Sequence, residues 1–257
     1  MRRFLFVARG VAWRSIHNTI VSPSIIVPSI IFPLFFFAAF AGGLSKIGNV
    51  PHFDYKPGYT AFQFIFVFLQ SAAFGGVFTG FAVARDFDSG FVRRLLLSAP
   101  ARGGIIVGYV IGALLRWCIT GSVVTLVALA SGMDVAGSAS DLLALLAIGI
   151  CMNLVAALWA VGLAMFLRTE QAGAVIQMPV FIVLFLAPVY VPLRLLSGWV
   201  HSVATANPAT FAIEAARGLF AGTPTDVALA FGLLGGAIVV LALFSRRGLR
   251  SAERAAA

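Results

Sequence analysis

Residues 59–84 read YTAFQFIFVFLQSAAFGGVFTGFAVA, a run of aromatic, aliphatic and small side chains without a single charged group. About 20 predominantly apolar residues suffice for a helix to cross the hydrocarbon core of a bilayer, and this run is longer. The whole chain agrees with it. Of 257 residues, 61% are hydrophobic and 11% charged, whereas soluble domains carry about 25% charged residues. A water-soluble fold could not bury this much apolar surface, so lipid is the solvent for most of it.

Working outward from 59–84, five more apolar runs are long enough to span. Residues 24–44 are uncharged and interrupted by Pro28 and Pro33, and 104–130 hold one charge, Arg116. Residues 142–167 follow, then 172–193 with Pro179, Pro188 and Pro192, then 227–245. The expectation is an all-α membrane protein of six transmembrane helices, one domain over 1–257, with no soluble domain and no internal repeat. Before the first run, Arg2, Arg3, Arg9, Arg14 and His17 share one side of a helical wheel. Leu5, Val7, Ala8, Val11, Ala12 and Ile16 mostly face the other, while Phe6 and Trp13 stray towards the charged side. This pattern fits a helix lying in the membrane interface; a frayed leader is the alternative. Arg9 and Arg14 interrupt any signal-peptide core.

Basic residues orient the spans. One side collects Arg2, Arg3, Arg9, Arg14, Arg85, Arg93, Arg94, Arg102, Arg168, Arg246, Arg247, Arg250 and Arg254, thirteen in all. The other holds Lys46, Lys56, Arg194 and Arg217, four. Both termini are therefore expected on the cytoplasmic side of the cell membrane, as an even number of spans requires. The formal net charge of +9 is accounted for by topology rather than by a nucleic-acid partner. Cys118 and Cys151 lie within apolar runs, and His17, His52 and His201 are scattered, so neither a disulfide framework nor a metal site is expected.

Three sets of polar residues stand out. Between the second and third runs, Asp86, Asp88, Arg93 and Arg94 supply charge, and Phe91, Val92, Leu95, Leu96 and Leu97 an apolar face. Ser89 is placed to cap a short helix and Pro100 to end it. Such a helix can press into a groove on a cytoplasmic partner, or be an ordinary positive-inside loop. Between the last two runs, Asn207 at a cap, Pro208 at the first helical position and Gly218 past the end outline a helix too short to span. Glu214 and Arg217 are spaced to pair on it. The pair reads either as an outer gate, in which swapping both charges partly restores export, or as a structural ion pair. Within the spans, Arg116 is a functional candidate by default or snorkels to the cytoplasmic edge. Gln63, Gln70, Asn153 and Gln177 hydrogen-bond between helices or line a pathway.

The only lysines, Lys46 and Lys56, do not end a Gly-rich turn, so the chain has no phosphate-binding loop of its own. Nor do the six runs contain the carboxylate commonly used as a relay by proton-coupled carriers.

In order and content these features resemble an ABC-2 type permease, the membrane subunit of type-2 ABC exporters, and within that family the daunorubicin-resistance-like drug exporters. The residues that carry the resemblance are Asp86, Gly90, Arg93, Arg94, Leu95, Pro100 and Arg102 after the second run, and Asn207, Pro208, Glu214 and Arg217 before the last. The resemblance implies a non-enzymatic transport subunit paired with a second permease copy or a paralogue, each bound to a separate ATPase subunit that carries ATP and Mg. It further implies that the helix around Gly90–Leu97, with Phe91 among its contacts, couples to that ATPase, and that residues 207–218 form a re-entrant outer helix near the exit. The nearly charge-free spans favour an amphiphilic or hydrophobic cargo, such as a drug, lipid or polyketide. Polysaccharide or glycolipid export is the alternative, followed by a proton-coupled carrier or a scaffold without cargo. Arg116, Asn153, Gln177, Asn207, Glu214 and Arg217 are the expected translocation or gate candidates.

Overall fold

The computed structural model describes residues 2–21 and 23–256, with side chains outside 23–26 and 256. Among these residues every regular element is helical: α1 Arg2–Val21, α2 Pro23–Phe37, α3 Gly58–Asp88, α4 Phe91–Ser98, α5 Gly103–Ala130, α6 Ala139–Leu167, α7 Gly173–Phe185, α8 Gly198–Ala206, α9 Pro208–Phe220 and α10 Val227–Ala256. Helices are what a chain in lipid must form, because each backbone polar group then finds its partner within the segment.

α3 is the axis of the bundle. Its 31 residues reach about 46 Å at 1.5 Å per residue, and α2, α5, α6, α7 and α9 pack around it. A helix apolar on all sides belongs in the interior, and the run 61–77 is buried throughout. Small residues set the seams. A Cβ on Gly76 would lie 2.5 Å from the Ala157 nitrogen, and one on Gly80 2.7 Å from the Ala160 Cβ. The seam between α3 and α6 is thus a small-xxx-small contact in which the backbones themselves approach.

A second seam gives the N-terminal helix a partner within the bundle. α1 packs along the first turns of α5, and the two run in the same direction: Gly104 meets Phe4 and Val7, Gly108 meets Ala8 and Val11, and Gly112 meets Ser15. The apolar side read from the wheel is divided accordingly. Val7, Ala8, Val11 and Ala12 are buried on α5 and Ile16 is half-buried, whereas Leu5 is exposed, as are Phe6 and Trp13 towards the charged side.

Among the described residues four helices, α3, α5, α6 and α10, are long and apolar enough to cross a membrane. Two shorter apolar stretches, Val27–Gly42 and Glu170–Phe185, accompany them, so a count of six spans rests on these two. The first carries Pro28 and Pro33 and ends in a π-helical turn at Ala38–Gly42. The second corrects the expected span 172–193, because α7 stops at Phe185 and residues 186–192 are irregular. Pro188 removes a donor and biases Ala187 away from helical backbone. Conversely, α10 continues past 245 to Ala256 and carries its arginines on a regular helix.

Candidate functional site

The end of α3 and the short α4 form the first candidate. Gly90 takes a left-handed backbone, φ +71°, which lets the chain turn from α3 into α4; any side chain there would be strained. Ser89 does not cap α4, since its hydroxyl donates to the Asp86 carbonyl and Gly90 occupies the cap. Val92 and Leu96 are buried under α4, while Phe91 and Leu95 are half-buried. Arg93, Arg94 and Leu97 face outward, Leu97 at 65% exposure. Of the apolar residues of α4, Leu97 is therefore the free one. Pro100 follows Ala99 in extended backbone and closes the helix.

Asp86 is not on the outer surface of this platform. Its carboxylate accepts two hydrogen bonds from the Arg14 guanidinium, at 2.6 and 2.8 Å, and one from the Tyr109 hydroxyl at 2.7 Å. The Arg14 guanidinium also lies over the Phe91 ring, 3.7 Å from its centroid. One carboxylate thus joins α1, α3 and α5, and Arg14 extends the network to α4 by a cation–π contact. Arg102 donates to the Leu96 carbonyl at 3.0 Å and lies 3.8 Å from Glu253 on α10. Asp88 accepts from the Glu170 amide, and Arg85 pairs with the Glu170 side chain at 2.9 Å. α4 is thereby linked to helices distributed across the bundle.

The second candidate lies where α7 breaks. Buried carbonyls freed by the early end of α7 need donors. Arg217 on α9 supplies them: it donates to the carbonyls of Pro188, at 2.8 Å, and Val189, at 3.3 Å, and to Glu214 at 2.9 Å. Its guanidinium stacks 3.4 Å above the Phe62 ring. Gln63 assists, donating to the Val189 carbonyl and to the Tyr59 hydroxyl. Asn207 accepts from the Ala209 amide as the expected cap and donates to the Val183 carbonyl of α7. α9 runs past Gly218 to Phe220, and the left-handed glycine that follows it is Gly222.

Arg217 is buried, but the Glu214 side chain is 36% exposed and lines a cavity of about 620 Å³ with Tyr55, Arg194 and His201. Arg194 pairs at 3.0 Å with Asp54, which also lines it. Burial raises the pKa of the Tyr55 phenol well above its ordinary value, against the lowering pull of Arg217. The phenol therefore stays protonated and donates to the Arg217 carbonyl at 3.1 Å.

The remaining candidates are separate from both clusters. Arg116 does not snorkel. It is 2% exposed between α3 and α5, donates one hydrogen bond to the Thr79 hydroxyl at 3.1 Å, and leaves Nε and Nη1 without a partner among the described residues. Asn153 donates to the Ala72 carbonyl of α3 at 2.8 Å and is an inter-helix contact. Gln177 is half-buried on α7. Among the described residues, no group of three His, Cys, Asp or Glu side chains is placed to hold a metal ion.

The family of ABC-2 type transporters matches residues 8–221, most of the chain, including α4 and the break after α7. No curated protein matches it.

Proposed function

We propose that this chain, which belongs to the ABC-2 type transporter family, is the permease of an exporter whose ATP is hydrolysed on a separate subunit seated against α4. The observation that supports this reading most is the construction of α4. It presents Leu97, Arg93 and Arg94 outward, while Asp86, Phe91 and Arg102 tie it to α1, α3, α5 and α10. A load applied to α4 is passed to most of the bundle at once. In this reading a second copy or a paralogue completes the translocation path, and the end carrying α4 and the arginines of α10 faces the cytoplasm.

The six apolar runs, which hold one charge, Arg116, suit an amphiphilic or hydrophobic cargo. The break after α7, held by Arg217, and the cavity edged by Glu214 serve as its exit. The test is purification of the chain with its ATPase, followed by transport in vesicles. Leu97→Ala combined with Arg93→Ala loses the ATPase or uncouples hydrolysis from transport while leaving insertion intact. Unchanged association and transport in that variant would remove α4 from the coupling role.

A further inference from the structure

The end of α10 carries a cluster of cations that the reading above uses only to orient the molecule. Arg247, Arg250 and Arg254 fall at i, i+3 and i+7 along α10 and line one recess of about 610 Å³ with Arg168 and Phe166 at the end of α6. Arg168 reaches this position from left-handed backbone, φ +57°. The four arginines are exposed, and none is paired with a carboxylate among the described residues. The two nearest acids in sequence are engaged elsewhere, Glu170 with Arg85 and Glu253 facing Arg102. Four like charges around one recess repel each other unless an anion sits among them.

The surface leading to the recess points to the kind of anion. Val240 and Leu243 are exposed on α10, and the step from Leu243 to Arg247 continues the same stripe at helical spacing. An apolar stripe on a spanning helix faces acyl chains, and the recess begins where that stripe ends, at the depth of headgroups. Phe166 packs against Phe244 at 5.3 Å and forms an apolar edge between the two zones. A soluble anion would use the cations alone, whereas a phospholipid uses the cations and the stripe together.

We propose that the recess between the end of α6 and α10 is a binding site for an anionic phospholipid, its phosphate held by Arg168, Arg247, Arg250 and Arg254 and its chains lying along Val240 and Leu243. Basic recesses at the edge of spanning helices recognise such headgroups, and each arginine near the surface contributes about 1 kcal/mol. Which leaflet supplies the lipid rests on the orientation proposed above; binding itself does not.

The test measures partition of a fluorescent phosphatidylglycerol onto the full chain in mixed micelles, with phosphatidylcholine and inorganic phosphate as the other probes. The wild type is expected to retain phosphatidylglycerol over phosphatidylcholine, with a preference that falls as salt rises. Combined Arg247→Gln, Arg250→Gln and Arg254→Gln weakens it on the order of a hundredfold, the equivalent of about 1 kcal/mol per arginine. Replacing the same three by Lys keeps most of the affinity, and each single Gln variant loses about fivefold. Together these keep the test decisive if the triple Gln variant aggregates. Undiminished binding in the Gln variants would overturn the proposal. So would inorganic phosphate at millimolar concentration displacing the lipid completely, which would indicate a free-anion site. Loss of a co-purified ATPase with lipid binding intact would equally overturn it and make the arginines a protein contact.

Discussion

Glu214 and Arg217 are spaced as an ordinary i,i+3 pair, but their environments differ so much that they are not interchangeable. Arg217 is buried against carbonyl oxygens of Pro188 and Val189, while Glu214 opens onto the cavity. Arg217→Gln leaves those buried carbonyls short of a donor, at a cost of about 2–3 kcal/mol, the upper part of the range for unsatisfied buried acceptors. Glu214→Gln keeps an acceptor for Arg217 and costs about 1–2 kcal/mol. Exchanging both charges places a carboxylate beside the two carbonyls, so the double swap is no better than Arg217→Glu alone. Thermal unfolding of the four variants in detergent checks this order; a double swap restored to wild-type stability would contradict it. The spacing in the sequence disclosed the pair, but the asymmetry depends on carbonyls some 28 residues away that no local pattern links to Arg217. Arg116 makes the complementary case. With two of its nitrogens unpartnered, its burial is uncompensated, and Arg116→Met is expected to raise the melting temperature. A large fall in stability would show that the guanidinium has a partner.

At the scale of elements, legibility followed the range of the forces involved. The start of α9 was readable because capping is local chemistry: Asn207 and Pro208 do what their positions require. The break after α7 is not legible in the average hydrophobicity of residues 172–193, which says nothing about backbone continuity, although Pro188 and Pro192 lie within the run. The seating of α1 on α5 was hidden in a different way. The wheel showed an apolar side and could not say whether lipid or protein covers it; the spacing of Gly104, Gly108 and Gly112 was the available signal. Gly108→Leu is expected to unseat α1, since even a Cβ there lies 2.6 Å from the Val11 Cβ. Increased proteolysis within residues 2–21 measures that effect, and an unchanged digest would contradict the seam. The half-buried Phe91, under the Arg14 guanidinium, is better suited to holding α4 in place than to contacting a partner. Phe91→Ala therefore lowers stability as well as coupling, whereas Leu97→Ala affects coupling alone.

For the molecule as a whole, composition established that this is a multi-span membrane protein, and the count of spans depends on two short helices carrying prolines. Labelling decides their status. In a cysteine-free background, cysteines at Ser138 and at Ala255 are expected to react from opposite faces of the membrane, because an odd number of crossings separates those positions in the six-span arrangement. Reaction from one face would remove that arrangement. The central claim is that the bundle is driven from outside through α4, and the most direct measurement is ATP hydrolysis in material purified through a tag on this chain from its own membranes. Vanadate-sensitive hydrolysis is expected in the wild type, and it is lost together with the ATPase subunit in the Leu97→Ala, Arg93→Ala double variant, with the permease still folded. Transport by the purified chain with no ATPase bound, or full hydrolysis and transport in the double variant, would contradict it.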